Sequence, residues 1–322
     1  MEQLIKTRFT ERFAIDHPIM LARMDIVSGG RLAAAVSGAG GLGLIGGGYG
    51  KADWLEQAFA EAGNQSVGVG FITWSLMKQP QLIDLVLAHK PAAFMVSFGD
   101  GEAAVTAAHA ANVPTIWQIQ RLEQARQALA AEVDVIVVQG QEAGGHGMDR
   151  GLTALLPAVR DLSGPEQIIL AAGGIADGRG LASALMLGAD GVMMGTRFWA
   201  SVEAEGSTAA KDGLAAATGD NTIRSKVFDV ARGVDWPWHF TGRVIANELS
   251  RRWHDDIEGL KHDAQAERAR YLASDPDDFS VRALIAGEAV DLVRSIDSAE
   301  AIIERTVNDA AQLLGNARTY LV

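Results

Sequence analysis

Ile168-Ile169-Leu170-Ala171-Ala172-Gly173-Gly174-Ile175 and, one helix later, Asp190-Gly191-Val192-Met193-Met194-Gly195-Thr196-Arg197 decide how this chain is read. Each is an apolar run that closes on a glycine-bearing turn. A stretch of small residues, Gly180 to Leu187, lies between them and is ended by Gly188. Where a glycine follows a strand, backbone N–H groups approach phosphate oxygens with no Cβ in the way. Two such turns at consecutive strand ends are the usual phosphate site of a (β/α)8 barrel, after strands seven and eight. They point to a bound nucleotide-like ligand.

Six earlier runs have the same character: His17–Ala22, Leu42–Gly46, Val67–Ile72, Ala93–Phe98, Thr115–Gln120 and Val135–Gly140. They are continuously apolar rather than alternating, as parallel strands covered on both faces are. The segments between them read as helices: Gly30–Ser37, Ala52–Ala62, Leu82–Ala88, Glu102–Ala111, Leu122–Ala131 and Leu152–Val159. Eight βα repeats in about 200 residues is the count of a TIM barrel. A doubly wound open sheet shows the same alternation, but no GxGxxG follows the first run. The expected architecture is a barrel over residues 1–200 and a helical extension over 201–322, with helices at Ala200–Ala217, Ile223–Arg232, Arg243–Leu260 and Asp297–Leu314. That extension is expected to cap the barrel mouth, its last helix packing back on the barrel.

Composition narrows the function classes. A net charge of −12 argues against nucleic acid or an anionic membrane as the main partner. With 0 cysteines there are no disulfides, thiolate metal sites or cysteine nucleophiles. No apolar stretch reaches spanning length and no apolar leader opens the chain, so a cytoplasmic protein is the expectation. His89, His109, His254 and His262 lack metal-ligand spacing, and no metal site is expected.

The sixth run ends in Gln139-Gly140-Gln141-Glu142-Ala143-Gly144-Gly145-His146-Gly147. This places His146 on the face of the barrel where catalysis occurs, among glycines that admit a planar ligand. Histidine exchanges protons near neutral pH, which suits a general base. Gln118, at the end of the fifth run, points to the same mouth.

Together, Gln-Gly-x-Glu-Ala-Gly-Gly-His, Ala-Ala-Gly-Gly-Ile-Ala-Asp-Gly-Arg-Gly and Met-Gly-Thr-Arg-Phe resemble the nitronate monooxygenase family, once called 2-nitropropane dioxygenases. His17-Pro18-Ile19-Met20 and the run Ala33–Gly43 agree with it, and the likeness covers about residues 8 to 200. The resemblance implies a TIM barrel that binds FMN non-covalently, with His146 as catalytic base and nitronates oxidised by molecular oxygen. It implies flavin contacts from Gln139 and Gly144, and phosphate contacts from Gly173, Gly174, Gly195 and Thr196. The full cofactor-facing set is expected to add Ala22, Met24, Gly70, Gln118 and Gly145.

Two positions depart from the pattern. Many members end strand three in Gly-Val-Asn, where this chain has Gly68-Val69-Gly70. Many have a glycine-rich turn before Met after strand one, where this chain has Arg23. Arg23, Trp74, Trp236, Trp238 and His239 are the expected substrate-facing residues, with Phe98 as a further wall of the pocket. Asp177, Arg179 and Arg197 flank the phosphate turns, Asp177 as a turn or helix cap. Arg251–Arg270 reads as a solvated helix face. Flavin reductases on the same barrel, acting on quinones or enoyl thioesters with NAD(P)H, share the glycine motifs. A phosphate-ligand barrel without redox function is the reading of a different class.

Overall fold

The computed structural model describes residues 5–320. Eleven strands occur among them: β1 (Ile19–Leu21), β2 (Leu44–Gly48), β3 (Gly68–Phe71), β4 (Phe94–Ser97), β5 (Thr115–Ile119), β6 (Val135–Gln139), β7 (Gly145–Gly147), β8 (Ile168–Ala172), β9 (Gly191–Met194), β10 (Thr222–Ser225) and β11 (Thr241–Ile245). The eight long apolar runs are β1–β6, β8 and β9. They pair in parallel in the order β1-β9-β8-β6-β5-β4-β3-β2. A parallel bridge from Met20 to Leu42 joins the two ends of that order and closes the barrel. Every residue of these eight strands is buried, which is why the sequence shows apolar runs and no alternation.

The helices between strands cover the outside. Ala52–Ala62 buries Leu55, Ala58 and Ala62, and Leu152–Ser163 buries Leu152, Leu155, Leu156 and Val159, each a single stripe at helical spacing. The helix after β8, Gly178–Met186, starts where Asp177 accepts hydrogen bonds from Arg179 N and Gly180 N. The last long helix, Ala299–Asn316, buries Ile302, Ile303, Thr306, Val307 and Ala310. It packs against Gly178–Met186 on one side and Gly30–Gly38 on the other, where the barrel's eighth helix belongs.

The segment between β9 and that helix differs from the all-helical expectation. Ile223–Arg232 is a strand, β10, followed by a short helix, Val227–Arg232. Arg243–Leu260 begins inside β11 and continues as two short helices, Glu248–Trp253 and Ile257–His262, begun by the caps Asn247 and Asp256. Ala200–Ala217 is helical only over Thr208–Ala216, because Gly206 has φ +122° and Ser207 caps the start. The strands form where β-branched residues recur and where β7 offers a partner edge. The three pair antiparallel in the order β10-β11-β7, with Gly242 opposite His146. Among the described residues no helix is long and apolar enough to cross a membrane.

Candidate active site

All eight barrel strands are parallel, so their C-terminal ends share one face, and the glycine turns, Gln118, Gln139, His146, Arg23 and Trp236 gather there. Gly173 and Gly174 follow β8 with φ of +99° and +71°, a conformation that favours glycine. Cβ atoms there would meet Gly140 O at 3.0 Å and Glu142 Cβ at 3.3 Å, so the turn lies tight under the loop after β6. Across the mouth, a Cβ on Gly195 would stand 3.4 Å from Ala22 Cβ and 3.8 Å from Met24 Sδ, which leaves room beside the backbone. Thr196 Oγ1 accepts from Gly287 N at 3.0 Å, and Gly144 packs so closely on Ala286 that a Cβ would stand 2.6 Å from its carbonyl carbon.

A row of buried amides lies beside these turns. Gln118 Nε2 and Gln120 Nε2 both donate to Gln139 Oε1, at 2.9 and 2.8 Å, and Gln139 Nε2 donates to the His146 carbonyl at 3.0 Å. Gln120 Oε1 has no hydrogen-bond partner among the described residues. A buried amide oxygen without a donor is costly in a finished core, and it is expected where a ligand supplies the donor. Side-chain-free turns with positive φ at Gly173 and Gly174, an uncrowded backbone at Gly195 and an orphaned amide oxygen fit a nucleotide cofactor with a polar ring edge.

The His146 side chain, on β7, is held from two directions. Its Nε2 lies 2.9 Å from Asp229 Oδ1. A carboxylate only accepts, so the ring proton is assigned to Nε2. Nδ1 makes no hydrogen bond within the described residues. Trp236 stacks on the imidazole with ring centroids 3.5 Å apart and planes 5° from parallel. Burial pushes the imidazole below its ordinary value, and Asp229 acts in the opposite direction.

Trp236 in turn donates from Nε1 to Tyr49 Oη at 2.8 Å and packs with Ile72, Phe98 and Phe240, with Trp74 5.3 Å away edge-on. Arg23 enters this cluster from the far wall. Its Nε donates to Ser97 Oγ at 2.6 Å and its guanidinium lies 4.8 Å from the Phe98 ring centre. Burial pushes it down to about 10, with Asp25 and Tyr49 opposing, so it is charged at neutral pH. Its stem crosses Gly70, where a Cβ would meet Arg23 Cδ at 2.8 Å.

Other expected residues lie elsewhere. Trp238 is 58% exposed, with Lys226 and Lys261 on its ring, and His239 is also exposed, against Phe240. Arg197 is turned from the glycine turns to Asp297 and the Ser295 carbonyl, where it anchors the approach to the last helix. Arg179 pairs with Asp177 at the surface. Sequence reasoning missed Asp229, Lys226, Tyr49, Gln120 and Arg224. Arg224 binds the His146 loop, donating to Gln141 O and Ala143 O at 2.9 Å each and to Thr241 O. Thr241-Gly242-Arg243-Val244-Ile245, a β-branched run after a turn, was the one signal that a ribbon lies here.

A profile of the family described as nitronate monooxygenase matches residues 6–68 and 64–309. The nitronate monooxygenase npaC of Metarhizium robertsii is 36% identical, over 94% of this chain and 93% of that protein. A (3aS,4S,5R,7aS)-5-hydroxy-7a-methyl-1-oxo-octahydro-1H-indene-4-carboxyl-CoA dehydrogenase of Rhodococcus jostii is 33% identical, over 69% of this chain and 64% of that protein. Among solved structures, FabK from Thermotoga maritima superposes with a TM-score of 0.85 at 28% identity, covering 98% of this chain and 100% of that one. The barrel, the glycine turns and the histidine loop define a flavin-type oxidoreductase. The chain belongs to the nitronate monooxygenase family.

Proposed function

We propose that the protein binds FMN and oxidises alkyl nitronates with molecular oxygen to a carbonyl compound and nitrite. The observation that carries this reading is His146: half-buried, fixed through Nε2 by Asp229, and without a hydrogen bond at Nδ1 among the described residues, beside an aromatic cluster. Gly173, Gly174, Gly195 and Thr196 would hold the phosphate, and Gln118 and Gln139 the ring edge, with Ala22, Met24, Gly70, Gly144 and Gly145 lining the rest. Bound FMN supplies the electron-accepting and oxygen-reducing chemistry. His146 Nδ1 takes the α-proton of a neutral nitroalkane, or as imidazolium steadies a nitronate anion. Ile72, Phe98, Trp236 and Phe240 exclude water from that proton transfer. The extension would act as a fixed cap, with Trp236 at the site and Trp238 and His239 facing solvent.

The test has two parts. FMN, and not FAD, should be released on denaturation, and propyl nitronate should bleach the bound flavin anaerobically. General-base catalysis contributes roughly 10²–10⁴-fold, so His146→Asn should depress turnover of nitroethane far more than that of pre-formed ethyl nitronate. A second reading, a flavin reductase acting on thioesters, is favoured by the likeness to FabK and to the CoA dehydrogenase. It predicts bleaching by NADH or NADPH with no response to nitronate. A colourless protein without flavin would overturn both.

A further inference from the structure

The Trp236-Pro237-Trp238 segment is only partly explained by the site, because Trp236 alone touches the aromatic cluster. The rest of the segment closes on a buried lysine. Lys226 is 6% exposed; its Nζ donates to the Pro237 carbonyl at 3.2 Å and lies 5.3 Å from the Trp238 ring centre. It also lies 3.6 Å from Asp229 Oδ2, the oxygen that His146 does not contact and that has no hydrogen bond among the described residues. Three consecutive residues therefore grip both ends of one line. Trp236 covers the imidazole, and Pro237 and Trp238 hold the ammonium.

We infer that Lys226, Asp229 and His146 form a single charge line in which Lys226 balances the Asp229 carboxylate, so that His146 works as a neutral, singly oriented base. This rests on the reading of His146 as the base, and it makes Lys226 and Asp229 positioning residues. A buried carboxylate needs a cation or it draws a proton. Without Lys226 the nearest group able to supply positive charge is His146 itself, whose protonation would abolish its use as a base. With Lys226 in place that demand is met from the other side. Asp229 then only accepts the Nε2 proton, which leaves the lone pair on Nδ1. Burial acts to lower the proton affinity of Lys226 and Asp229 opposes it; the Pro237 carbonyl and the face of Trp238 add contacts that favour the ammonium form.

The surrounding charges agree with this assignment. Arg232, on the same short helix, opposes a second positive charge on His146. Arg224 and Arg243, on the neighbouring strands, are spent on loop carbonyls and on Glu288. From the barrel side, Tyr49 receives the Trp236 hydrogen bond, and Asp25 faces Arg232 and Arg23. Asp235 faces Lys226.

The test is an NMR titration of His146 in histidine-labelled, flavin-loaded protein, with His146→Asn providing the assignment. It is run beside the pH profile of kcat/KM on nitroethane. Lys226→Met removes a positive charge and should raise the proton affinity of His146 about tenfold. The acid limb of the profile, where the base is lost by protonation, then moves to higher pH by the same factor. Lys226→Arg should restore both. Asp229→Asn should lower the proton affinity and release the Nε2–H tautomer. Should Lys226→Met fail to fold, Trp238→Ala, which bares the ammonium to water, should shift the titration in the same direction by a smaller factor. An unchanged His146 titration in a folded, flavin-retaining Lys226→Met protein, or in Trp238→Ala where that is the variant that folds, overturns the inference. The base reading fails on a different result: equal effects of His146→Asn on nitroethane and on ethyl nitronate.

Discussion

Arg23 and Gly70 account for each other. Positions 23 and 70 are far apart in sequence, yet the stem of Arg23 lies over the spot where a side chain at 70 would stand. Gly70→Asn should therefore push the guanidinium off Ser97 and Phe98, raising the dissociation constant for FMN about tenfold. The pair Arg23→Gly with Gly70→Asn should recover most of that loss, since residues in contact couple by roughly 0.5–3 kcal/mol. Fluorescence titration of the apoprotein reads both, and equal losses in the single and double variants would show that the two positions are independent. Gly174→Asp brings a carboxylate and a disfavoured φ to the phosphate turn and should leave the protein folded but free of flavin, read by absorbance. At this scale the sequence was informative where one residue type has one use. Glycines at strand ends and a histidine among glycines could be read directly. Asp229 could not, because it reaches His146 from 83 residues away and sits in a stretch that reads as ordinary helix.

At the scale of elements, the barrel strands are legible because burial on both faces leaves them uninterrupted apolar runs. The ribbon is not, because its strands are short, half-polar and partnered by a loop. β7 is only Gly145–Gly147 and has no strand propensity of its own; it is extended because β11 pairs with it. The His146 loop is thus held by the extension as much as by the barrel. Arg224 is the bolt: burial pushes its guanidinium down to about 10, and it stays charged while bound to carbonyls on both sides of the ribbon. Arg224→Met should keep the barrel folded while amide exchange across residues 141–147 accelerates. kcat/KM on nitronate should fall by up to about a hundredfold, the scale of a 1 Å misplacement. Unchanged exchange with unchanged kinetics would mean the ribbon alone is enough.

For the whole molecule, the sequence shows eight βα units but not how the ring closes. β1 pairs with β9, Met20 bridges to Leu42, and Ala299–Asn316 fills the gap between the first and the preceding helix of the outer ring. Ile303 is fully buried there and reaches Gly41 at the base of β2. Ile303→Ala should cost about 2–5 kcal/mol, read as a lower urea midpoint. A surface role for this helix would show as no change.

The same seam bears on the life of the chain before it is whole. A polypeptide leaves the ribosome from its first residue, so the helix Gly30–Gly38 emerges with its apolar face ready and its partner still unmade. At about 5–20 residues per second the helix Ala299–Asn316 follows roughly 15–50 s later. Throughout that interval the outer ring lacks its last helix, and the face of Gly30–Gly38 that this helix covers stays bare. The seam between these two helices, made last, is therefore where an incomplete chain exposes the apolar surface that invites misassembly.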